Sequence, residues 1–334
     1  MVKSDKIDQM STKDPSFYIV NLPEEDYIQC VLFALASYYN NIQTTMDFAS
    51  TGVKRDVGDY VNDITIGKLA EMAVKRFLQG QYGLEADLDF DFYEDASQID
   101  DGDIRWIKTK DGKKIARPHL HPIDIKSTKG TSKWLLIRKE EFDNRCYDMY
   151  VSVKISIPES HLVDFLGGEK IDTMVASLKD NSELSKKHMG MLVSALKKKH
   201  EALFPIKAEV MGWIGRNELI EKINKQRKMH AQLKILATEY TALKNKKREV
   251  KGATEQMKAE RRAIQAKQTE FRKKMEVAVR DLMAVEFARG EEVFDPDLPH
   301  NGSFSIKANN YGVMIYKMNR DTDFLVKELL KPVS

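Results

Sequence analysis

Between Arg216 and Arg289 the apolar residues keep a helical step. Met229, Leu233, Leu236, Tyr240 and Leu243 advance by four, three, four and three positions, and Ile264, Phe271, Met275, Ala278, Leu282 and Val285 continue an a/d-like pattern, with Gln268 as its polar exception. This stepping puts one apolar stripe on each of two helices. Gly252 is the natural place for the chain to reverse, which predicts a long antiparallel, coiled-coil-like helical hairpin. With ~32 residues per arm at ~1.5 Å per residue, it reaches roughly 45–50 Å. A compact helical domain with its lysines on a solvated face would carry the same pattern.

The charge is concentrated in the same stretch. Residues 216–289 hold 20 Lys+Arg and 10 Asp+Glu, a net of +10, which leaves 34 of the 54 basic and 41 of the 51 acidic residues elsewhere, a net of −7. The overall +3 is therefore the sum of a basic arm and an acidic body. A basic arm suits a polyanion gripped through its phosphates. Its apolar stripes would also suit a second copy of the hairpin, and so a homodimer.

The rest of the chain alternates. "EEDYIQCVLFALASYYNNI" from Glu24 reads as a buried helix, and "ITIGKLAEMAVKRFLQG" as an amphipathic helix stopped by Gly80. Strand-like pieces follow: "DLDFDFY", "DIRWIKT", "HPIDIKS", "KWLLI" and "YVSVKISI". "HLVDFL" and "IDTMVASL…LVSALKKKHEALF" add helices, "AEVMGWI" a strand, and "SFSIKANNYGVMIYK" returns to extended structure after the arm. The order is helix, mixed sheet, helix, with the arm interrupting a β-containing core. Asp87, Asp89 and Asp91 alternate with apolar residues, as on the solvent face of a two-sided strand.

Composition narrows the classes. In 334 residues, 42% hydrophobic and 31% charged, there is ample material for a globular core. Cys30 and Cys146 stand far apart with no metal-site spacing, which points to a reducing, cytoplasmic setting. No apolar run approaches the ~18 residues of a membrane helix, and the N-terminus lacks a signal-like core. His119 and His121 are two imidazoles on one expected strand face, too few for zinc. HExxH, GxxxxGK[ST], GxSxG and GxGxxG are all absent.

The chemistry gathers at "HPIDIKST". In a strand, Asp124 and Lys126 share one face while Ile123 and Ile125 enter the packing on the other. Asp103 begins the preceding strand, and the Asp111-Gly112 turn folds that strand back, which would bring the carboxylates together. Asp100 and Asp101 compete with Asp103 for this role. Glu71 lies mid-helix beside Ala70 and Ala73, small residues that permit close approach to a sheet; the plainer reading is an exposed residue paired with Lys75. Clustered carboxylates repel and raise one another's pKa unless a divalent cation shares their charge, and an oxygen-rich set suits magnesium.

Glu71 in "IGKLAEMAVKRFL", Asp103 in "DDGDIRW" and Asp124-Ile125-Lys126 in "HPIDIKST" together resemble the PD-(D/E)XK nuclease superfamily, over roughly Ile64 to Glu218. "DMYVSVKI" and "EVMGWIGRNEL" look like the strands that follow its lysine. The resemblance implies an α/β (α+β) restriction-endonuclease-like core, a central mixed sheet flanked by helices. It implies that Asp103, Asp124 and the Ile125 carbonyl bind Mg2+, with Mn2+ as a substitute, that Glu71 completes the site, and that Lys126 serves the water. Asp103 follows Gly102 where the family often has proline, and the 20-residue gap before Asp124 is long for a tight hairpin.

The expected organisation is an N-terminal helical extension (1–60), the nuclease core (61–215), the basic arm (216–289) and a C-terminal segment returning to the core (290–334). The expected activity is metal-dependent hydrolysis of double-stranded DNA in restriction, defence or phage DNA degradation. Ser127, Thr128, Lys129 and Lys133 are expected at the DNA backbone. The alternatives are a non-catalytic nucleic-acid-binding or assembly platform and a nuclease directed at RNA.

Overall fold

A computed structural model describes residues 18–40, 56–91, 102–129, 132–167, 186–250, 254–294, 303–331 and 333. The expected reversal at Gly252, the helix "IDTMVASL", Asp100 and Asp101 lie outside the described residues.

The main sheet has four strands: β1 (Tyr18–Leu22), β8 (Ile206–Gly215), β7 (Met149–Ser156) and β5 (Ile123–Lys129), in that spatial order. β5 and β7 run parallel, and the other pairs are antiparallel, so the sheet is mixed. β7, "MYVSVKIS", is buried at six of its eight positions because layers cover both faces, and a strand so placed reads as a near-continuous apolar run. In its described part, the 1–60 segment supplies both β1 and helix α1 (Glu24–Asn40).

One face of this sheet carries α1 and α2 (Val57–Phe77) together with a three-stranded sheet, β2 (Glu85–Leu88), β3 (Ile104–Lys108) and β4 (Lys114–Ala116), in a single core that includes Leu69, Ala70, Ala73, Ile107, Ile123, Ile125 and Val151. α2 begins earlier than its apolar pattern suggests because Asp56 caps it, its carboxylate accepting the Asp59 N–H at 2.8 Å. It ends later too. A π-helical turn, Leu78–Tyr82, absorbs Gly80, and the stop is Gly83, at φ +63.

The other face packs on β6 (Trp134–Arg138), β12 (Asn310–Met314) and β9 (Ala284–Phe287), with β12 in the middle, and on the short helix α3 (Lys139–Asn144). A small ribbon, β10 (Glu292–Phe294) with β11 (Ser303–Ser305), flanks this second sheet. Helix α4 (Lys186–Glu201) precedes β8, and α7 (Thr322–Leu330) packs its Leu325, Val326 and Leu329 into the first core.

The basic run forms α5 (Arg216–Glu249) and α6 (Glu255–Asp281). The pair is antiparallel: Gln226 of α5 meets the Asp281 carbonyl near the root, while Lys247 meets Gln265 further out. Leu233, Met275 and Val279 bury their stripes against Trp134, Phe287 and Met314, so the root of the hairpin is a layer on the second sheet. Two of the expected stripe residues lie beyond α6: Leu282 is its C-cap and Val285 belongs to β9, because the apolar repeat runs on into a strand without a break in composition. Among the described residues no helix is long and apolar enough to cross a membrane, and Cys30 and Cys146 are free thiols.

Gly312 marks the tightest point of the second sheet. A Cβ there would stand 2.2 Å from Cε2 of Phe287, a buried ring edge-on to Trp134 with centroids 5.2 Å apart. Gly312→Ala should therefore cost about 1–3 kcal/mol through overpacking, read as a lower denaturation midpoint in urea with an unchanged slope.

Candidate functional site

The face of β5 that carries Asp124 and Lys126 is buried, not solvated. Their register partners on β7 are Tyr150 and Ser152, and the face looks toward α3 and the second sheet. Ile123 and Ile125 enter the α2 core on the opposite face. Asp124 is 4% exposed. Lys126 Nζ lies 3.0 Å from Asp124 Oδ2 and 2.9 Å from Glu141 Oε1, and Arg145 approaches Glu141 at 3.7 Å. Glu141 was not anticipated. It sits on α3, fifteen residues after Lys126, with no periodic or motif signal linking the two.

Asp103 reaches the same strand by a different route. The 104–116 segment forms a hairpin turned at Gly112, φ +83, but β3 pairs with β2 and β4 rather than with β5. The two sheets, packed in one core, are also hydrogen-bonded through Asp103. The Asp103 N–H donates to the Ile123 carbonyl at 2.9 Å, and Asp103 Oδ2 accepts the Ile125 N–H at 2.5 Å. This contact explains the glycine where the resemblance leads one to expect proline: Gly102 has φ +90, and a Cβ on it would stand 2.7 Å from both N and O of Ile123. Arg117, which donates to the Gly102 carbonyl and pairs with Asp89 at 3.1 Å, holds the approach in place.

Glu71 is buried, 6% exposed, and its partner is not Lys75 but Lys68, one turn earlier, at 2.8 Å. Lys68 also donates to the Asp89 carbonyl and lies over the rings of Phe33 and Phe90 at 5.0 and 5.1 Å. The acidic alternation keeps a partly solvated face, with Asp91 exposed, Asp87 half-buried and Ala86 and Leu88 turned into the core, but its acids are paired. Asp87 and Asp91 both bind Arg105, and Asp89 binds Arg117. His119 and His121 lie in the turn before β5 rather than in a strand, and His121 Nδ1 sits 2.6 Å from Asp148 Oδ2. Thr128 is buried and donates to the Val153 carbonyl at 3.3 Å; Ser127 and Lys133 are half-buried, and Lys129 closes β5.

Burial dominates the electrostatics. It pushes the Asp124 carboxyl up to about 7, Lys126 opposing the shift and Asp103 and Glu141 adding to it. Asp103 is raised by burial against the pull of Lys68 and the Ile125 N–H, and Glu71 stands well above the usual carboxylate range for the same reason, with Lys68 opposing and Asp103 adding. Burial disfavours the charge on Lys126, but Asp124 and Glu141 overcome it and hold the ammonium above its ordinary pKa. Burial works against the Glu141 charge too, yet Lys126 keeps that carboxyl below its ordinary value. Asp103 thus links two groups: Glu71 and Lys68 on one side, Asp124, Lys126 and Glu141 on the other.

Among the described residues, no three His, Cys, Asp or Glu side chains converge as a ready-made metal group. The fit to magnesium rests on fewer ligands, since Mg2+ is commonly held by one or two carboxylates with water and substrate completing its shell. Three buried polar atoms, Asp124 Oδ2, Tyr150 OH and Ser152 Oγ, have no hydrogen-bond partner by geometry among the described residues; Lys126 approaches the first at 3.0 Å as an ion pair. All three residues lie on one face of β5 and β7. Buried polar atoms without partners are costly, and a hydrated cation would satisfy such a set.

The raised carboxyls fix a pH dependence. A group whose folded pKa lies above its unfolded value stabilises the fold fully below the unfolded value, and that contribution is lost as pH rises through the folded one. For Asp124 the window runs from about 4 to about 7. Without divalent metal, thermal stability should decline across this range, and Asp124→Asn should make the decline shallower; an unchanged slope in the variant would remove Asp124 as its source.

Compared with protein-family models, curated proteins and solved structures, the chain returns no match.

Proposed function

We propose that the chain is a metal-dependent endonuclease of the PD-(D/E)XK kind, hydrolysing phosphodiester bonds of double-stranded DNA, with a role in restriction, defence or phage DNA degradation. The observation that carries the reading is the Asp103 carboxylate seated on the Ile125 N–H, which sets one acid from a separate sheet beside Asp124 and Lys126. In an extended strand the N–H and C=O of one residue leave on the same side, so the Ile125 carbonyl faces the Asp103 side as well.

In this reading Asp103, Asp124 and the Ile125 carbonyl hold Mg2+ or Mn2+, and Glu71 supports the set from α2 through Lys68. The bound ion would polarise the phosphoryl oxygen and lower the pKa of its water. Lys126, kept protonated by Asp124 and Glu141, orients the attacking water and offsets charge on the phosphate; it does not serve as the base. Glu141 keeps the ammonium in place at 2.9 Å. The +10 arm supplies sequence-independent affinity for the duplex, and two copies of the chain, as a homodimer, address the two strands.

Charge balance supports the same reading. Glu71, Asp103 and Asp124 are all raised by burial, and a divalent cation would offset their charge and let them ionise.

Supercoiled plasmid incubated with Mg2+ or Mn2+ should be linearised, and EDTA should stop the reaction. Asp124→Asn and Lys126→Met, each checked for native circular dichroism, should lower the rate by about a hundredfold or more. Full cleavage by either folded variant would reject the site. Sedimentation should give a dimer mass on duplex DNA. Above pH 7, Mg2+ should raise the melting temperature of the unmodified chain and not that of Asp124→Asn.

A further inference from the structure

Two clefts adjoin on the far side of α3 from Glu141. The first, about 340 Å3, lies between α5 and β9, lined by Arg227, His230, Lys234 and Phe287 among others; the second, about 320 Å3, is lined by Arg138, Lys139, Arg289 and Lys307 with the outer face of α3. Asn309 lines both. Its position is set from two directions: its carbonyl accepts the Lys139 N–H at 3.0 Å, and its Oδ1 accepts the Arg289 N–H at 2.9 Å. The two linings together carry six Lys or Arg residues against three Asp or Glu.

Two acids at these clefts are paired with cations. Glu286 binds Lys139, and Glu291 is held by His230 at 3.0 Å and Lys234 at 2.8 Å. Arg289 and Lys307 are exposed and have no acidic partner among the described residues. On α5, Arg227 and Lys234 are seven positions apart, two turns along one helix face, or ~10 Å. The cations thus line the root of the arm and run to α3, whose inner face presents Glu141 to Lys126.

We propose that these two clefts form one track for the phosphodiester backbone of duplex DNA, entered from the arm and leading past α3 to the candidate catalytic face. The proposal rests on the nuclease reading for its ligand. Guanidinium and ammonium groups on fixed elements suit phosphate oxygens, and contacts of this kind position a duplex without reading its sequence. α3 separates the track from Lys126 by the thickness of one helix, about 10 Å. The track therefore grips phosphates flanking the one at the site.

The test is fluorescence anisotropy of a labelled 30-base-pair duplex in EDTA, where no cleavage occurs, over a range of salt concentrations. Arg289→Glu with Lys307→Glu should weaken binding about tenfold or more and reduce the slope of log affinity on log salt by roughly two. Lys327→Glu with Lys331→Glu, on and just after α7, makes the same change in net charge away from the track and should leave both nearly unchanged. The proposal is overturned by unaltered affinity and slope in the track variant, by an equal loss in the α7 variant, by tighter binding of duplex RNA than of DNA, or by no binding in the unmodified chain. A chain that binds through the track but cleaves no plasmid with Mg2+ or Mn2+ supports the track and rejects the nuclease reading.

Discussion

Asp103 hydrogen-bonds two sheets that share no strand pair and pack in one core. β5 is hydrogen-bonded to β7 along one edge, and where its other edge approaches β3, Asp103 takes the place of a neighbouring strand: its own N–H satisfies Ile123, and its carboxylate satisfies the N–H of Ile125. A buried backbone donor needs a partner. The carboxylate that supplies it is thereby held in low dielectric beside Asp124, which raises the pKa of both acids. The hydrogen bond itself favours the Asp103 charge, and burial, which outweighs it, raises the carboxyl. Loss of the Asp103 side chain would orphan a buried N–H as well as remove an acid.

How much of this was legible in the sequence depends on range. The face-sharing of Asp124 and Lys126 follows from a two-residue period, and the structure keeps it; the paired helices after Arg216 follow from a 3.5-residue period, and the structure keeps those too. The Lys68–Glu71 pair was also readable, since i,i+3 neighbours share a helix face, although Lys75 offered the same charge one turn further on. Boundaries were harder. A helix start set by the Asp56 carboxylate and a stop set by the positive φ of Gly83 depend on single residues outside the apolar repeat. Glu141 and Arg117 were out of reach, because each acts across a sheet packing that no local pattern encodes. The arginines that bind Asp87, Asp89 and Asp91 were hidden in the same way, so the pairing of this partly solvated row of acids could not be read.

The half-buried lysines bear on the chemistry as much as the acids do. Lys68 and Lys126 stand where uncompensated carboxylates would otherwise push one another toward neutrality, and each is held charged by the acids around it. Removing one partner of a buried pair typically costs about 3–5 kcal/mol, because the other is left charged and alone. A cation entering this cluster would therefore compete with two resident ammonium groups. It gains most at Asp124 Oδ2, which Lys126 approaches as an ion pair, beside the Tyr150 and Ser152 hydroxyls, which have no hydrogen-bond partner by geometry among the described residues.

The arm and the site are tied through α3. Arg216, the first residue of α5, donates to the Phe142 carbonyl at 2.6 Å and the Arg145 carbonyl at 2.8 Å, and its guanidinium stacks 3.8 Å from the Phe142 ring centre. The same short helix turns Glu141 inward to Lys126 and Lys139 outward to the cleft. α3 has only six residues, too few to be stable without tertiary support, so its position is set by what grips it. Arg216 grips its C-terminal end, and the Lys139 N–H, bound to the Asn309 carbonyl, fixes its start. The carboxylate that holds the lysine is therefore positioned by the root of the arm and by the Asn309 loop. The basic helices and the buried charges meet in this one element.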